Sequence, residues 1–289
     1  MATRPRSTSS ADKEYTDSGF TEDCDGQIAN VFALEERHRQ SFTNGRPEYS
    51  RSASCDTNIL DQLKSQDEDG DSFLHIAIQN GNQDTALKII NVASKDTLEI
   101  KNNFGLTPLI QAIKMESYFV VESLLAKGVN TDSLDYQACN NLLHICAESG
   151  GYQMLEIFER IDKEALTVLA NARNGRGQTP FHIAVTGKDM YSCTVLFRFG
   201  ADIDAKDGRA GYTGLHLAVL TEDSDFVKDF ISRFQPELGI ESYSGYTPYG
   251  LAQQNDLEDI QTVLLQAGAS EDVGSVDDEY AIYYLPTIR

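Results

Sequence analysis

A four-residue element recurs six times along this chain of 289 residues. Its most complete copy is Thr179-Pro180-Phe181-His182, and a Gly lies two residues before five of the six copies. The copies are 34, 35 or 38 residues apart and begin at Ser72, Thr107, Asn141, Thr179, Thr213 and Thr247. Such a period indicates one supersecondary unit stacked on itself, because a single unit cannot bury its own apolar face.

Each unit has the pattern of a tight turn followed by two helices. Gly accepts positive φ in the turn, Thr or Ser caps the first helix, and Pro suits its first turn. An Ala stands five residues after the start of five copies, where a small side chain lets neighbouring units approach. Glycines end three of the second helices, namely Gly128, Gly200 and Gly268.

The period and the Thr-Pro-Leu-His-like core resemble the ankyrin repeat. The resemblance implies an all-α ankyrin-repeat solenoid of six helix-turn-helix repeats with β-hairpin fingers, which we expect over residues 67–270. The 38-residue step predicts an insertion around residues 162–172, after the second helix of repeat three. Repeat five departs at its end, where Phe234-Gln235-Pro236-Glu237 replaces the usual Gly-Ala-Asp.

The segments on either side of the repeats differ in composition. Residues 1–66 are rich in Ser, Thr, Asp, Glu, Arg and Gly, with few regularly spaced apolar positions, so we expect a disordered regulatory tail. Residues 271–289 form an acidic C-terminal tail, which we also expect to be flexible. Its acidic residues are Glu271, Asp272, Asp277, Asp278 and Glu279.

Charge and cysteine content limit the classes of function. The chain has 24 basic and 45 acidic residues, a net charge of −21. Direct nucleic-acid binding is not expected, since it requires basic surface. A cationic protein partner fits this charge, although the charge also serves solubility alone. No apolar stretch is long enough for a membrane span, and five irregularly spaced cysteines favour reduced thiols in cytosol or nucleus.

The residues do not favour an enzyme, a metal site or a cofactor site. No motif for nucleophilic catalysis, phosphate binding or metal ligation is present. Four of the five histidines share one repeat position: His75, His144, His182 and His216. The resemblance to ankyrin repeats implies that each bonds to the backbone of a neighbouring hairpin.

A candidate phosphorylation site lies in the N-terminal tail, in the segment Asp17-Ser18-Gly19-Phe20-Thr21-Glu22. A phosphate on Ser18 would add about −1.5 to −2 charge and three acceptor oxygens, which an Arg-lined receptor could bind. Taken alone, Asp-Ser-Gly is also a common triplet of disordered segments.

Three stretches resemble the inhibitors of NF-kappa-B, the I-kappa-B family that includes the insect cactus type. Residues 69–78, 211–219 and 245–251 are similar to its first, fifth and sixth repeats. The resemblance implies a cytoplasmic inhibitor that binds dimers of Rel-homology transcription factors, masks their nuclear localisation segment and blocks DNA binding. Shuttling to the nucleus is left open. It further implies phosphorylation by an I-kappa-B kinase, recognition by an F-box ubiquitin ligase and proteasomal degradation.

The family's degron has the pattern D-S-G-x-x-S, and the resemblance assigns Asp17, Ser18 and Gly19 to it. The second phosphoserine position holds Glu22, and Thr21 precedes it, so we expect either one phosphate on Ser18 or two on Ser18 and Thr21. Lys13 is the only lysine in the first 63 residues and is the candidate ubiquitin acceptor.

Three groups of residues are candidates for partner binding. We expect the acidic cluster of the first hairpin to face the basic localisation segment: Asp67, Glu68, Asp69 and Asp71. We expect the C-terminal acids to lie against the DNA-contacting surface of the Rel domain: Asp272, Asp277, Asp278 and Glu279. The third group is hairpin-tip contacts from Gln178, Tyr212 and Tyr246. A solvated acidic turn and a solubilising tail are the simpler alternatives for the first two groups.

Two other binding functions compete with the inhibitor. One is a nuclear, Bcl-3-like cofactor that bridges Rel dimers to transcription; such relatives tend to lack the serine degron and the acidic flank. The other is a generic ankyrin scaffold or a ubiquitin-ligase adaptor, for which the short flanks contain no F-box-like module.

Overall fold

The computed structural model describes residues 62–135, 138–149 and 151–272. These residues form fourteen α-helices and a short 3-10 helix, Phe158–Arg160. In chain order the α-helices are α1 Phe73–Gln79, α2 Gln83–Val92, α3 Lys95–Leu98, α4 Pro108–Lys114, α5 Tyr118–Ala126, α6 Leu142–Ser149, α7 Tyr152–Ile157, α8 Lys163–Asn171, α9 Pro180–Thr186, α10 Met190–Arg198, α11 Gly214–Val219, α12 Ser224–Phe234, α13 Pro248–Gln254 and α14 Glu258–Gln266.

The helices pair into repeats, and the repeats stack in chain order. The inner helices α1, α4, α6, α9, α11 and α13 begin at the six recurring tetrapeptides, and each packs against the next. The outer helices also contact one another, for example α2 with α5 and α12 with α14. Their apolar side chains fill one continuous core, with Leu109, Leu143, Phe181 and Leu215 buried in successive repeats. The predicted all-α ankyrin architecture is confirmed.

The repeated histidines connect each repeat to the next. The backbone N–H of Thr179 donates to Nδ1 of His182 at 3.1 Å, so Nε2 carries the proton and donates onward. An N–H to Nδ1 contact also occurs at His75, His144 and His216, and in every case the acceptor of Nε2 is the carbonyl just before the next tetrapeptide. At His144, Nδ1 also lies 2.6 Å from Oδ1 of Asn141. The Nε2–O distances are 3.0 Å for His75–Leu106, 2.9 Å for His144–Gln178, 3.1 Å for His182–Tyr212 and 2.9 Å for His216–Tyr246. The predicted backbone bonds are confirmed.

Burial keeps these rings neutral. Burial lowers the pKa of His144 and of His216 to about 4, and it also lowers the pKa of His75 and His182. A neutral ring is what the geometry requires, because Nδ1 accepts a hydrogen bond while Nε2 donates one.

The hairpin fingers are turns organised around one polar side chain. In repeat four, Oδ1 of Asn174 accepts hydrogen bonds from the backbone N–H groups of Arg176 and Gln178. The corresponding acceptors in the other repeats are Asp67, Asn102, Asp135, Asp207 and Ser242. Within the described residues, the fingers contain an isolated β-bridge between Gln66 and Ser72 and no regular strand.

Adjacent fingers are also joined directly through their backbones. The N–H of Gly208 donates to the carbonyl of Gly177 at 2.8 Å, and the N–H of Tyr243 donates to that of Ala210 at 2.9 Å. Gly177 has φ +77°, and a Cβ added there would lie 2.7 Å from Cα of Gly208. Only glycine combines this backbone conformation with so close an approach.

The predicted insertion in repeat three forms an extra helix, α8. Asp162 caps it by accepting hydrogen bonds from the N–H groups of Glu164 and Ala165 at 3.0 and 3.3 Å. Leu166 and Leu169 are buried, and the helix packs against α9. The inserted residues therefore extend the core of the array.

The unusual end of repeat five has a packing reason. Helix α12 runs on to Phe234 and ends at Gln235, which has φ 51°. The ring of Phe234 meets those of Phe181 and Phe197 with centroids 5.6 and 5.4 Å apart, which joins repeats four and five. This cluster also explains the Gly in Thr213-Gly214, because a Cβ on Gly214 would lie 2.9 Å from the Phe181 ring.

Replacing Gly177 with Ala tests the contact between fingers. The new methyl group would clash with Gly208 and would sit on a left-handed backbone. We expect the free energy of unfolding, measured by urea denaturation, to fall by about 2–4 kcal/mol. The matched control is Gly128→Ala, which has φ +69° and no atom within 4 Å of the new Cβ; it should cost only about 1–2 kcal/mol. Equal losses in the two variants would show that the approach of the fingers is unimportant.

The histidine links predict a dependence of stability on pH. The folded pKa of His216 is about 4 and the ordinary value is 6.5, so the unfolded chain binds the proton first as pH falls. Besides burial, the charge of Lys206 lowers this pKa, whereas Asp207 raises it. Stability from this histidine is therefore complete above pH 6.5 and is lost toward pH 4.

The measurement is the difference in the free energy of unfolding between the parent and His216→Gln. The advantage of the parent over the variant should shrink by about 2 kcal/mol between pH 7.5 and pH 5. Taking a difference between two chains removes the opposing effect of the many carboxylates, whose repulsion weakens as they protonate. A difference that is constant over this range would contradict the assignment.

Candidate partner-binding surface

The tips of the fingers carry exposed side chains that differ in chemistry from one repeat to the next. Each finger holds its tip through hydrogen bonds of the turn, so the side chains at the tip are free to differ. Finger one presents Glu68 and Asp69, and finger two presents Phe104. Fingers four and five present arginines, and finger six presents Tyr243. A surface of this kind can bind an extended partner through many modest contacts.

The structure divides the four acids of finger one into two pairs. Oδ1 of Asp67 accepts the N–H groups of Asp69 and Asp71 at 3.0 and 2.7 Å. Asp71 is 9% exposed and accepts a hydrogen bond from Nδ2 of Asn102 at 2.8 Å. Asp67 and Asp71 therefore build the turn and attach it to finger two.

Glu68 and Asp69 are the exposed pair of this finger. Their backbone carbonyls accept hydrogen bonds from Asn103 of the next repeat, at 2.9 Å to its side chain and 3.0 Å to its N–H. The two carboxylates are thus displayed on a turn whose backbone is fixed, and they are the part of the predicted acidic cluster that is available to a cation.

The three residues predicted as tip contacts lie at the bases of their fingers. Tyr212 is 8% exposed and stacks on His216, with ring centroids 5.5 Å apart. Gln178 and Tyr246 are half-buried, and their carbonyls accept the histidine links. A role for the three in partner binding stays a prediction, and the burial of Tyr212 leaves its ring little surface to offer.

The remaining predicted residues fall at or beyond the described ends. The carbonyl of Asp272 accepts a hydrogen bond from Oγ1 of Thr247 at 2.8 Å, which places the end of the described chain beside the N-terminus of α13. The other predicted residues of the two tails lie outside the described residues: Lys13, Asp17, Ser18, Gly19, Thr21, Glu22, Asp277, Asp278 and Glu279.

Sequence reasoning missed several exposed tip residues. Phe104 is 56% exposed and Tyr243 is 53% exposed. Four basic residues lie on fingers four and five: Arg173, Arg176, Lys206 and Arg209. The sequence does contain a signal for these tip residues. When the six turns are aligned on the Asp, Asn or Ser side chain that accepts the hydrogen bonds of the turn, the tip residues follow that side chain directly.

No arrangement for chemistry is found in the part of the chain that the structure describes. No group of three or more His, Cys, Asp or Glu side chains there could hold a metal ion. The described cysteines, Cys139, Cys146 and Cys193, are free thiols, and burial raises the pKa of the last two. None of the described helices has both the length and the apolar character to cross a membrane.

Comparison with known proteins supports the repeat architecture independently. Residues 49–135 match the family described as ankyrin repeats in three copies, and residues 176–208 match the single ankyrin repeat. The described residues have the ankyrin-repeat fold, as these matches and the stacked helix pairs show.

Several relatives carry the name of NF-kappa-B or of its inhibitors, which confirms the resemblance to the I-kappa-B family. The chain is 32% identical to NF-kappa-B inhibitor alpha of Gallus gallus over 200 residues, which cover 68% of this chain and 62% of that protein. It is 27% identical to the NF-kappa-B p105 subunit of Gallus gallus, over 72% of this chain and 21% of the relative. The chain thus spans only part of these two relatives.

A solved structure extends the comparison to three dimensions. The ankyrin repeat domain of Bcl-3, described as a unique member of the IkappaB protein family, superposes with a TM-score of 0.62. The two are 28% identical, and the match covers 70% of this chain and 89% of the Bcl-3 domain.

Proposed function

We propose that this protein is an inhibitor of Rel-homology transcription factors. It binds a Rel dimer, masks the basic nuclear localisation segment, retains the dimer in the cytoplasm and blocks its access to DNA. In this proposal the chain has three parts: a regulatory segment of residues 1–66, six repeats over residues 67–270 and an acidic segment of residues 271–289. The protein acts by binding and has no enzymatic role.

The observation that carries this proposal is the exposed pair Glu68 and Asp69. The pair stands on a hydrogen-bonded turn at the first repeat, in a chain whose relatives include NF-kappa-B inhibitor alpha. A Lys- and Arg-rich localisation segment is its electrostatic complement. Since an exposed ion pair contributes only about 0.2–1 kcal/mol, the pair mainly accelerates and orients encounter. The exposed tips of the following fingers, such as Phe104, supply further area along the dimer.

The C-terminal acids complete the proposed mechanism. Asp272, Asp277, Asp278 and Glu279 repel the phosphates of DNA when they lie against the basic, DNA-contacting surface of the Rel domain. Competition for that surface explains how one binding event blocks DNA binding as well as import.

The test is the release of a Rel dimer from the same species from its immobilised DNA site when the protein is added. The expected result is a binary complex that leaves the DNA. In the variant Glu68→Lys with Asp69→Lys, the association rate constant should fall on the order of tenfold and its salt dependence should weaken. The control is Glu164→Lys with Asp259→Lys, which makes the same charge change on exposed outer-helix positions and should associate nearly as fast as the parent.

Two results would contradict the proposal. If the protein formed no complex with Rel dimers at low salt, the proposed function would be wrong. If both charge variants associated with Rel dimers at the same rate, finger one would have no part in the mechanism. A ternary complex that stays on the DNA would instead favour the Bcl-3-like cofactor, which the structural match to the Bcl-3 ankyrin domain supports as the second candidate.

The proposal includes removal of the inhibitor through the N-terminal segment. An I-kappa-B kinase phosphorylates Ser18, with Thr21 or Glu22 supplying the second negative charge, and an F-box ubiquitin ligase then directs ubiquitin to Lys13. Ser18→Ala should lengthen the half-life of the protein in stimulated cells several-fold, as measured after translation is stopped. Ser41→Ala, in the same segment, is the control and should turn over like the parent. Rapid loss of the Ser18 variant would exclude the degron.

A further inference from the structure

Fingers four and five form a basic patch in an otherwise acidic protein. We call Arg173, Arg176, Lys206 and Arg209 the basic finger patch; the three arginines are exposed and Lys206 is half-buried. The guanidinium of Arg173 donates to the carbonyl of Lys206 at 2.7 Å, so the two fingers are tied together. The basic residues of the two fingers therefore form one surface rather than two separate clusters.

The arginines of this patch differ from the other arginines that the structure describes. Arg160, Arg198 and Arg233, which lie in or beside outer helices, each pair with a carboxylate: Glu122, Glu159 and Asp229, respectively. No ion pair to a described carboxylate is formed by Arg173, Arg176 or Arg209. In a chain of net charge −21, three arginines on two neighbouring fingers that form no ion pair with any carboxylate of the described residues are the exception.

Two acids of finger five and its approach, Asp207 and Asp204, accept hydrogen bonds from the backbone. Asp207 is buried, and its Oδ1 accepts the N–H groups of Ala210 and Tyr212 at 2.9 and 3.0 Å. Asp204 accepts the N–H of Glu237 at 3.2 Å. These carboxylates hold the turns of repeats five and six, so the outward positive charge of the patch is left for a ligand from outside the array.

The chain leaves the described array at the side where this patch lies. Asp272 is bonded to Thr247, the residue that begins the inner helix of repeat six directly after finger six. Finger six is bonded to finger five through Tyr243 and Ala210, and Nζ of Lys206 lies 5.9 Å from the ring centroid of Tyr243. Asp272 follows α14 as Asp204 follows α10, so the exit point lies one repeat beyond finger six and two repeats from finger five.

The spacing of the acids in this segment matches the distance. Packed helices of neighbouring repeats are about 8–10 Å apart, so fingers five and four lie roughly 20 and 30 Å from the exit point. An extended chain covers about 3.3 Å per residue, which brings Asp277 within about 17 Å and Glu279 within about 23 Å of Asp272. The run Asp277-Asp278-Glu279 can therefore reach finger five, which carries Lys206 and Arg209.

We propose that the acidic run Asp277-Asp278-Glu279 binds the basic finger patch of its own chain. Each exposed ion pair is weak, but tethering supplies a local concentration in the millimolar range that a separate peptide would not have. The contact covers finger five in the free protein, and any acidic surface of a partner must displace it. In the proposed Rel complex the same three acids lie against the Rel domain, so binding of a Rel dimer has to break this contact. The contact in the free chain does not itself require the proposed function.

Carbodiimide cross-linking of the full chain tests the contact directly. The reagent joins a carboxylate to the Lys206 amine as an amide, and it takes up the displaced oxygen and leaves as its urea. At about 0.01 M salt, where the Debye length is about 30 Å, mass spectrometry should find Lys206 joined to residues 277–279. The yield should fall several-fold at about 1 M salt, where that length is about 3 Å.

Two charge-matched variants locate the contact. Arg176→Glu with Arg209→Glu should reduce the cross-link several-fold, while Lys163→Glu with Lys228→Glu changes the net charge equally on exposed helix positions and should leave it unchanged. Circular dichroism melting verifies that both variants remain folded. Equal yields in the two variants, or no link to residues 277–279 in the parent, would overturn the proposal.

A second measurement does not depend on mutating the fingers. The probe is fluorescein-labelled decaglutamate, and Asp277→Asn with Asp278→Asn and Glu279→Gln frees the patch without altering the array. The affinity of this triple variant for decaglutamate should exceed that of the parent several-fold. Unchanged affinity would overturn the proposal, as would cross-links formed only between isotope-labelled and unlabelled copies. Tighter Arg-dependent binding of a ten-nucleotide oligothymidylate than of decaglutamate would also overturn it, since the patch would then be a nucleic-acid site.

Discussion

The hydrogen bond from a buried histidine to the carbonyl that precedes the next repeat is the contact on which the register of this array depends. Within its own repeat, His182 accepts the N–H of Thr179 through Nδ1, and Nε2 reaches the carbonyl of Tyr212. One ring therefore caps a helix and locates the following finger. Leaving such a carbonyl buried without a donor would cost about 1–3 kcal/mol, which penalises any slip of one repeat against the next.

The two repeats without this histidine show what replaces it. Repeat two has Ile110 at the position, and there apolar packing of α4 on α6 and the ion pair between Lys114 and Asp135, at 3.4 Å, join repeats two and three. Repeat six has Gly250, and no further finger follows it within the described residues. Its Thr247 instead bonds to the chain at Asp272. The histidine thus occurs where another finger has to be held.

Because the turns are held by backbone and buried polar groups, their tips are free to carry function. Finger one displays Glu68 and Asp69, whereas fingers four and five display arginines. The row of fingers consequently has an acidic end and a basic region, and a partner with both signs of charge can lie along it in one direction only. In the proposed complex the localisation segment meets the acidic end.

The repeat number and the order of helices could be predicted from the sequence alone, because a period near 34 residues and the Thr-Pro-x-His spacing are local properties of each unit. The role of the repeated His was predicted from the resemblance to ankyrin repeats. The insertion in repeat three was also visible as a longer step. Only the tertiary structure decided which charged residues are available: Asp71 and Glu68 are three residues apart in one acidic run, yet Asp71 is buried against Asn102 and Glu68 is exposed. The same holds for Tyr212, whose ring packs on His216, and for the arginines that two fingers bring together. These outcomes depend on contacts between residues about 30 positions apart, which a pattern within one repeat does not contain.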